Sequence, residues 1–212
     1  LEFRRVLFRS DAPRVGILLC INGTGISNNW IRKLIGEPDL TYDEMNQKAA
    51  LSPVGSKGLS ILPFGNGAER MLGDRDIGAQ VHHLNFNIHG KPEVLRAVQE
   101  GVAFSFKYGI DIMQSLKIQP RVLKAGAANM FLSPVFCKTL ASVAGVTIEL
   151  YNTDGAQGAA RAAAVGAGIV PHLQDAFKGL AALRSIEPET NKADYLEAYS
   201  RWLAPLKNSL HS

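Results

Sequence analysis

The sequence predicts an α/β domain with helices layered on a mixed sheet, and three observations carry that prediction. Short, continuous apolar runs alternate along the chain with stretches whose apolar residues recur at helical spacing. Small-residue turns join several of the runs to the stretch that follows. The order strand, helix repeats three times, which is the signature of a layered α/β domain rather than of a bundle or a sandwich.

Taken in order, Val15–Ile21 (VGILLCI) reads as a buried strand, and Asn22-Gly23-Thr24-Gly25 as the turn after it. Ile26, Trp30, Ile31 and Leu34 recur at helical spacing and predict a helix after the turn, stopped by Gly36 and Pro38. Thr41 and Glu44 form a capping-box pair, so a second helix is expected to about Leu51. Leu59–Phe64 reads as a strand closed by the tight turn Gly65-Asn66-Gly67. Between Met71 and Gly90 only a brief strand around Val81–Phe86 is expected.

The next helix is the clearest element. Pro92 suits a first turn, Glu93 complements the N-terminal dipole, and Leu95, Val98, Val102, Phe106, Ile110 and Met113 form one stripe. Arg121–Lys124 reads as a strand, followed by the small-residue loop Ala125–Asn129. Ser133 and Pro134 start a helix that Gly145 ends. Val146–Leu150 reads as a strand. The Ala- and Gly-rich stretch Gly155–Gly168 reads as a helix in close contact with a neighbour, and Asp194–Leu206 as a last amphipathic helix.

The 212 residues suffice for one domain with its own core, and 46% hydrophobic with 20% charged residues is ordinary for a globular protein. No stretch is apolar enough to span a bilayer, and the basic residues are interspersed with acids, which argues against membrane and nucleic-acid partners. Cys20 and Cys137 lie in apolar surroundings and are expected to be buried, reduced thiols of a cytoplasmic protein. Leu1–Ser10 (LEFRRVLFRS) can be back-translated into a sequencing-library adapter and is set aside from fold reasoning. Without it the net charge falls from +4 to +2, and Asp11 is expected to be an internal residue of a longer protein.

Chemistry is expected at three turns: Gly23–Asn29, Gly65–Glu69 and Gly126–Asn129. Free N–H groups at such junctions can meet an anion or a nucleotide edge, and glycine lets a ligand approach the backbone. From the residues alone, each is either such a site or a plain tight turn. Neither GxxxxGK[ST] nor GxGxxG occurs. His82, His83 and His89 lack zinc-site spacing and read as polar loop residues. Glu69-Arg70 reads as a structural pair. No general base is identifiable.

Four segments, in order, resemble the FGGY family of carbohydrate kinases. LSILPFGNGAERML (Leu59–Leu72) resembles its "LP-x-x-x-GER" region. VLRAVQEGVAFSFKYGIDIM (Val94–Met113) resembles its "R-A-x-x-EG-x-A-F/Y" helix, with Arg96, Ala97, Glu100 and Gly101 in place. SPVFCKTLASVAGVTIEL (Ser133–Leu150) and TDGAQGAARAAAVGAG (Thr153–Gly168) resemble the helix and strand after the adenosine-binding glycines and the "x-ALGAA-x-LA-x-x-G-x-G" signature. The wording of GILLCINGTGI and LPFGNGAERML is most similar to a bacterial xylulokinase branch.

The resemblance implies an actin/hexokinase-like ATPase domain of ribonuclease-H type, incomplete at its N-terminal strands. Residues 11–206 would form the nucleotide-binding C-terminal domain and 207–212 a tail. It implies transfer of the ATP γ-phosphoryl group, with Mg2+, to a sugar hydroxyl. D-xylulose is the expected acceptor, with L-ribulose, glycerol, gluconate or a non-catalytic regulatory role as alternatives. For the nucleotide it implies Gly25 and Asn29 at the start of the first helix, Gly126 in the adenosine loop and Asn129 beside it. Ala125 and Ala127 stand where the family has glycine, which implies a weakened or shifted adenosine contact. The general-base aspartate, the phosphate hairpin and the sugar-binding N-terminal domain, the expected partner, would lie upstream of Val15. The fragment would then be inactive alone and expose a sheet edge. A homodimer is compatible with the resemblance.

Overall fold

The structure is a computed structural model that describes residues 20–35 and 39–211. The strand expected at Val15–Ile21 falls mostly outside these residues, as do Gly36, Pro38 and Leu1–Ser10; Cys20 and Ile21 are not in a strand. Six helices are described: α1 (Thr24–Leu34), α2 (Tyr42–Ala50), α3 (Lys91–Ser115), α4 (Pro134–Ala144), α5 (Gly155–Gly166) and α6 (Ala193–His211). Five strands accompany them: β1 (Ser60–Phe64), β2 (Gly78–His82), β3 (Val122–Gly126), β4 (Thr147–Tyr151) and β5 (Ala182–Ile186).

Local chemistry sets most of these boundaries. Thr41 Oγ1 accepts from the Glu44 amide at 3.2 Å while the Glu44 carboxylate accepts from the Thr41 amide at 2.9 Å, a complete capping box at the start of α2. Glu93 closes the first turn of α3 onto the Gly90 amide at 2.9 Å. Ser133 Oγ accepts from the Phe136 amide at 3.2 Å, Pro134 takes the first position of α4, and Gly145 (φ +67°) ends it.

The strands form two sheets. β1 and β2 pair antiparallel, with Ser60 opposite His82 and Phe64 opposite Gly78. In the second sheet β4 is central: β3 runs parallel to it (Val122 opposite Thr147) and β5 antiparallel. This is a mixed sheet, and its parallel pair is joined by the α4 crossover. β2 lies earlier than the strand expected at Val81–Phe86, because the partner that defines it is β1, which ends at Phe64.

α3 is the central support. Leu95, Ala97 and Val98 pack with Ile31, Leu40, Met45 and Leu59; Val102, Ala103 and Ile110 pack with Phe136, Leu140 and Ile148; Phe104 packs with Leu62, Tyr199 and Trp202. Of the six stripe residues, Phe106 and Met113 are the ones left partly exposed.

Two expectations are corrected here, and α1 adds a detail that spacing leaves open. In α1 the buried face carries Asn28 and Ile31, whereas Ile26, Trp30 and Leu34 are 55%, 58% and 63% exposed. The helix touches α3 and β1, and helical spacing alone does not say which of its faces meets them. α5 buries none of its residues among the described ones: small side chains permit a close neighbour without supplying one. Cys20 is exposed, its thiol 3.3 Å from Asn22 Oδ1, while Cys137 is buried.

Candidate functional site

The site lies where the start of α1, the first turns of α2 and the segment between β3 and α4 come together. Gly25 and Asn28 of α1, Tyr42 and Asn46 of α2, and Asn129 and Ser133 line one cavity of about 350 Å³. A neighbouring cavity of about 590 Å³ opens at the carboxyl ends of the parallel strands β3 and β4, lined by Gly126, Asn129, Phe131, Thr153 and Asp154 among others. Ligands favour such a crevice at strand C-termini in open α/β sheets. Asn129 belongs to both walls.

Gly126 ends β3 opposite Tyr151, and a Cβ there would stand 2.2 Å from the Thr153 carbonyl oxygen. Only glycine lets the two strand ends approach this closely. Asn129 follows with φ +54°, a left-handed conformation that asparagine tolerates better than most residues, and its side chain is exposed. The turn then tightens into a 3₁₀ helix, Asn129–Leu132, ahead of Ser133. Asp154 caps α5, accepting from the Gln157 amide at 2.8 Å, which anchors the far side of the larger cavity.

On the other wall, Gly25 is exposed, and a Cβ there would meet nothing within 4 Å. Glycine inside a helix costs about 1 kcal/mol relative to alanine, and packing within the chain does not demand it here. Asn28, one turn on and only 7% exposed, has a side-chain carbonyl oxygen with no hydrogen-bond partner among the described residues. Such an atom costs about 1–3 kcal/mol when nothing meets it. Asn29 does not line the cavity; its carbonyl oxygen accepts from the Tyr42 hydroxyl at 3.3 Å, linking α1 to α2.

Of the four residues expected at a nucleotide, the structure brings Gly25 and Asn129 to one cavity and Gly126 and Asn129 to the next, with Asn29 behind the first. The sequence reading missed Asn28, although it sits three residues from both Gly25 and Ile31 and so shares their helix face. It also missed Tyr42 and Asn46 as site residues, and it read Ser133 only as the cap of a helix. Ala125 and Ala127 both pack against the core around Phe136 and Leu140, and Ala125 also lines the larger cavity.

The turn before α1 is held from below. Glu69 is fully buried, and both carboxylate oxygens accept from the Asn22 amide at 3.0 Å. Burial pushes its carboxyl above the usual range, against hydrogen bonds from Asn22 and Gly23 that pull it down. The structural role expected of Glu69 is therefore exerted on backbone. Among the described residues no group of three or more His, Cys, Asp or Glu could hold a metal ion.

The family model for the C-terminal domain of the FGGY family of carbohydrate kinases matches residues 10–167. The chain belongs to that family. Among curated relatives it is 27% identical over 194 residues to the xylulose kinase of Haemophilus influenzae, covering 89% of this chain and 38% of that protein. It is 31% identical over 181 residues to the L-xylulose/3-keto-L-gulonate kinase of Escherichia coli, covering 82% and 34%. The FGGY chain described here thus spans well under half the length of these relatives. In fold it is similar to the ligand-bound xylulose kinase of Lactobacillus acidophilus (TM-score 0.75, 23% identity, 90% of this chain and 39% of that one). It is also similar to the Plasmodium falciparum glycerol kinase with ADP (TM-score 0.68, 21% identity, 89% and 37%). The fold is that of FGGY sugar kinases, the actin/hexokinase-like ATPase fold. No helix among the described residues is long and apolar enough to cross a membrane.

Proposed function

We propose that this chain is the nucleotide-binding half of an ATP-dependent sugar kinase that converts D-xylulose to D-xylulose 5-phosphate. The observation that carries the proposal is the smaller cavity. Gly25 and Asn129, far apart in sequence and each expected at a nucleotide, stand on its walls, and the buried Asn28 oxygen beside them lacks a donor. An adenine base has an exocyclic amino group to offer such an oxygen. The open helix surface at Gly25 gives a ligand close access to backbone.

In this reading the base enters between α1 and the Asn129 turn, and the phosphates lie toward the sugar. The γ-phosphoryl group passes to a sugar hydroxyl, whose proton goes to a carboxylate supplied by the N-terminal domain, the partner of this one. Positioning and charge neutralisation carry such a transfer. Magnesium arrives on the nucleotide phosphates, as is usual for that ion. D-xylulose is favoured because xylulose kinases recur among the relatives and fold neighbours. A gluconate kinase and a glycerol kinase among the neighbours keep gluconate and glycerol as the acceptors to test against it, with L-ribulose. We place the protein in the cytoplasm, where ATP and phosphorylated sugars are handled.

The test is a pair of measurements. ATP titrated into the isotope-labelled chain should shift the backbone resonances of Gly25, Gly126 and Asn129. The same sequence joined to its N-terminal domain should release ADP fastest with D-xylulose. A folded chain whose resonances ignore ATP would end the nucleotide reading. Faster release with another sugar would replace the substrate.

A further inference from the structure

Gln99 is the residue this fold uses least economically unless it serves the cavity. It sits on α3 with Leu95, Val98 and Val102 as apolar neighbours and the buried pair Arg96 and Glu100 beside it, and is fully buried. A carboxamide there must find partners for both ends or cost stability. It finds them in two separate elements. Its Nε2 donates to Asn46 Oδ1 of α2 at 3.0 Å, and its Oε1 accepts from the Ser133 hydroxyl at 2.6 Å. Ser133 Oγ in turn accepts from the Phe136 amide at the start of α4.

Asn46 and Ser133 both line the smaller cavity, one on the α2 side and one beside the Asn129 turn. Gln99 itself does not line it. The relay therefore ties together two walls of the cavity from beneath, through a helix that contributes to all three core clusters. An apolar residue of similar size would fill the same space in α3, as its neighbours do, and would leave the two walls unlinked. A hydrogen-bonded link between polar side chains fixes geometry in a way that apolar packing does not.

We propose that Gln99 is a positioning residue for nucleotide recognition: it holds α2 and the Asn129–Ser133 turn at the separation an adenine base requires. The proposal rests on the nucleotide reading given above. It assigns Gln99 to the base end of the ligand and not to the phosphates, because both of its partners belong to the smaller cavity.

The experiment separates the two ends of ATP. Adenosine and inorganic tripolyphosphate are titrated individually into the isotope-labelled full chain, as wild type and as Gln99→Leu, Asn46→Leu and the double variant. Loss of one buried relay should weaken adenosine about tenfold and leave tripolyphosphate unchanged, with the double variant no worse than either single one. Gln99→Leu binding adenosine like wild type would overturn the proposal, and so would an equal loss of adenosine and tripolyphosphate, the mark of a general structural defect. Additive losses would instead make Asn46 a direct contact and remove Gln99 from the relay. If Gln99→Leu does not fold, the wild-type Gln99 side-chain amide signal decides. It should move on adenosine and not on tripolyphosphate, and its indifference to adenosine would refute the assignment. A wild type that binds neither ligand fails the nucleotide reading itself.

Discussion

Replacing Gly101 by alanine tests how closely the core of this domain is built. Gly101 faces β1 from the middle of α3, and a Cβ at that position would lie 2.2 Å from the Ile61 carbonyl oxygen and 3.6 Å from Trp202 Nε1. The same carbonyl accepts a hydrogen bond from the Trp202 indole at 2.8 Å, with the tryptophan fully buried. Helix propensity alone favours the substitution by about 1 kcal/mol. Against it stand the displacement of β1 from a packed contact, about 1–3 kcal/mol, and the strain or loss of a buried indole hydrogen bond, about 1–3 kcal/mol. The balance is a net loss of roughly 1–5 kcal/mol, with both costs falling on one junction of α3, β1 and α6. Urea unfolding followed by Trp202 emission measures it, because Trp30 is already largely exposed and contributes little change. The midpoint should fall with the slope unchanged. A Gly101→Ala chain as stable as wild type, or more so, would refute the close-approach account and leave propensity as the governing term.

Three further outcomes follow from the structure. Glu93 caps α3 and pairs with Lys57 at 2.9 Å; the Lys57 hydrogen bond, helped by the Gly90 amide, holds its carboxyl below the usual range against burial. A depressed folded value contributes stability above the ordinary carboxylate range and loses it as pH falls. Glu93→Gln should therefore cost about 1 kcal/mol at neutral pH, and the gap from wild type should close in acid; a constant gap in urea midpoints across pH would contradict this. Thiol titration should show one fast-reacting cysteine, Cys20, whereas Cys137, buried and with its thiol pushed up to about 11, reacts only on unfolding; two equally fast thiols would remove the buried assignment. Gly126→Ala should push the Thr153 carbonyl away from β3 and weaken ATP about tenfold or more, while unchanged ATP-induced shifts would place the nucleotide elsewhere.

Much of the fold is legible in the residues because the signals are local. A capping box at Thr41 and Glu44, Ser133 with Pro134, and Gly145 in the left-handed region are each settled within a turn of helix, and all occur in the structure where the sequence puts them. The α3 stripe is legible for a related reason: over 25 residues, periodicity averages out individual exceptions. Four consecutive resemblances then identify the family, which the match over residues 10–167 shows.

What failed were statements about neighbours. Helical spacing marks Ile26, Trp30 and Leu34 as a face, but whether that face is covered depends on where α3 and β1 lie, and they lie against Asn28 and Ile31 instead. The alanines of α5 and the thiol of Cys20 were misjudged, since composition states what a surface can accept and not what reaches it. The cavity belongs mostly to this second kind of information, although the family resemblance already named Gly25 and Asn129 of its lining. Gly25, Asn46, Asn129 and Ser133 come from three segments spread over about half of the chain, and Gln99, which links two of them, stands at an unspecified position of its motif. Caps and periodicities are decided by contacts a few residues apart, so the sequence determines them directly. A cavity is the space left between elements, and only the long-range packing on α3 decides its walls and which buried oxygen, such as that of Asn28, is left waiting for a donor.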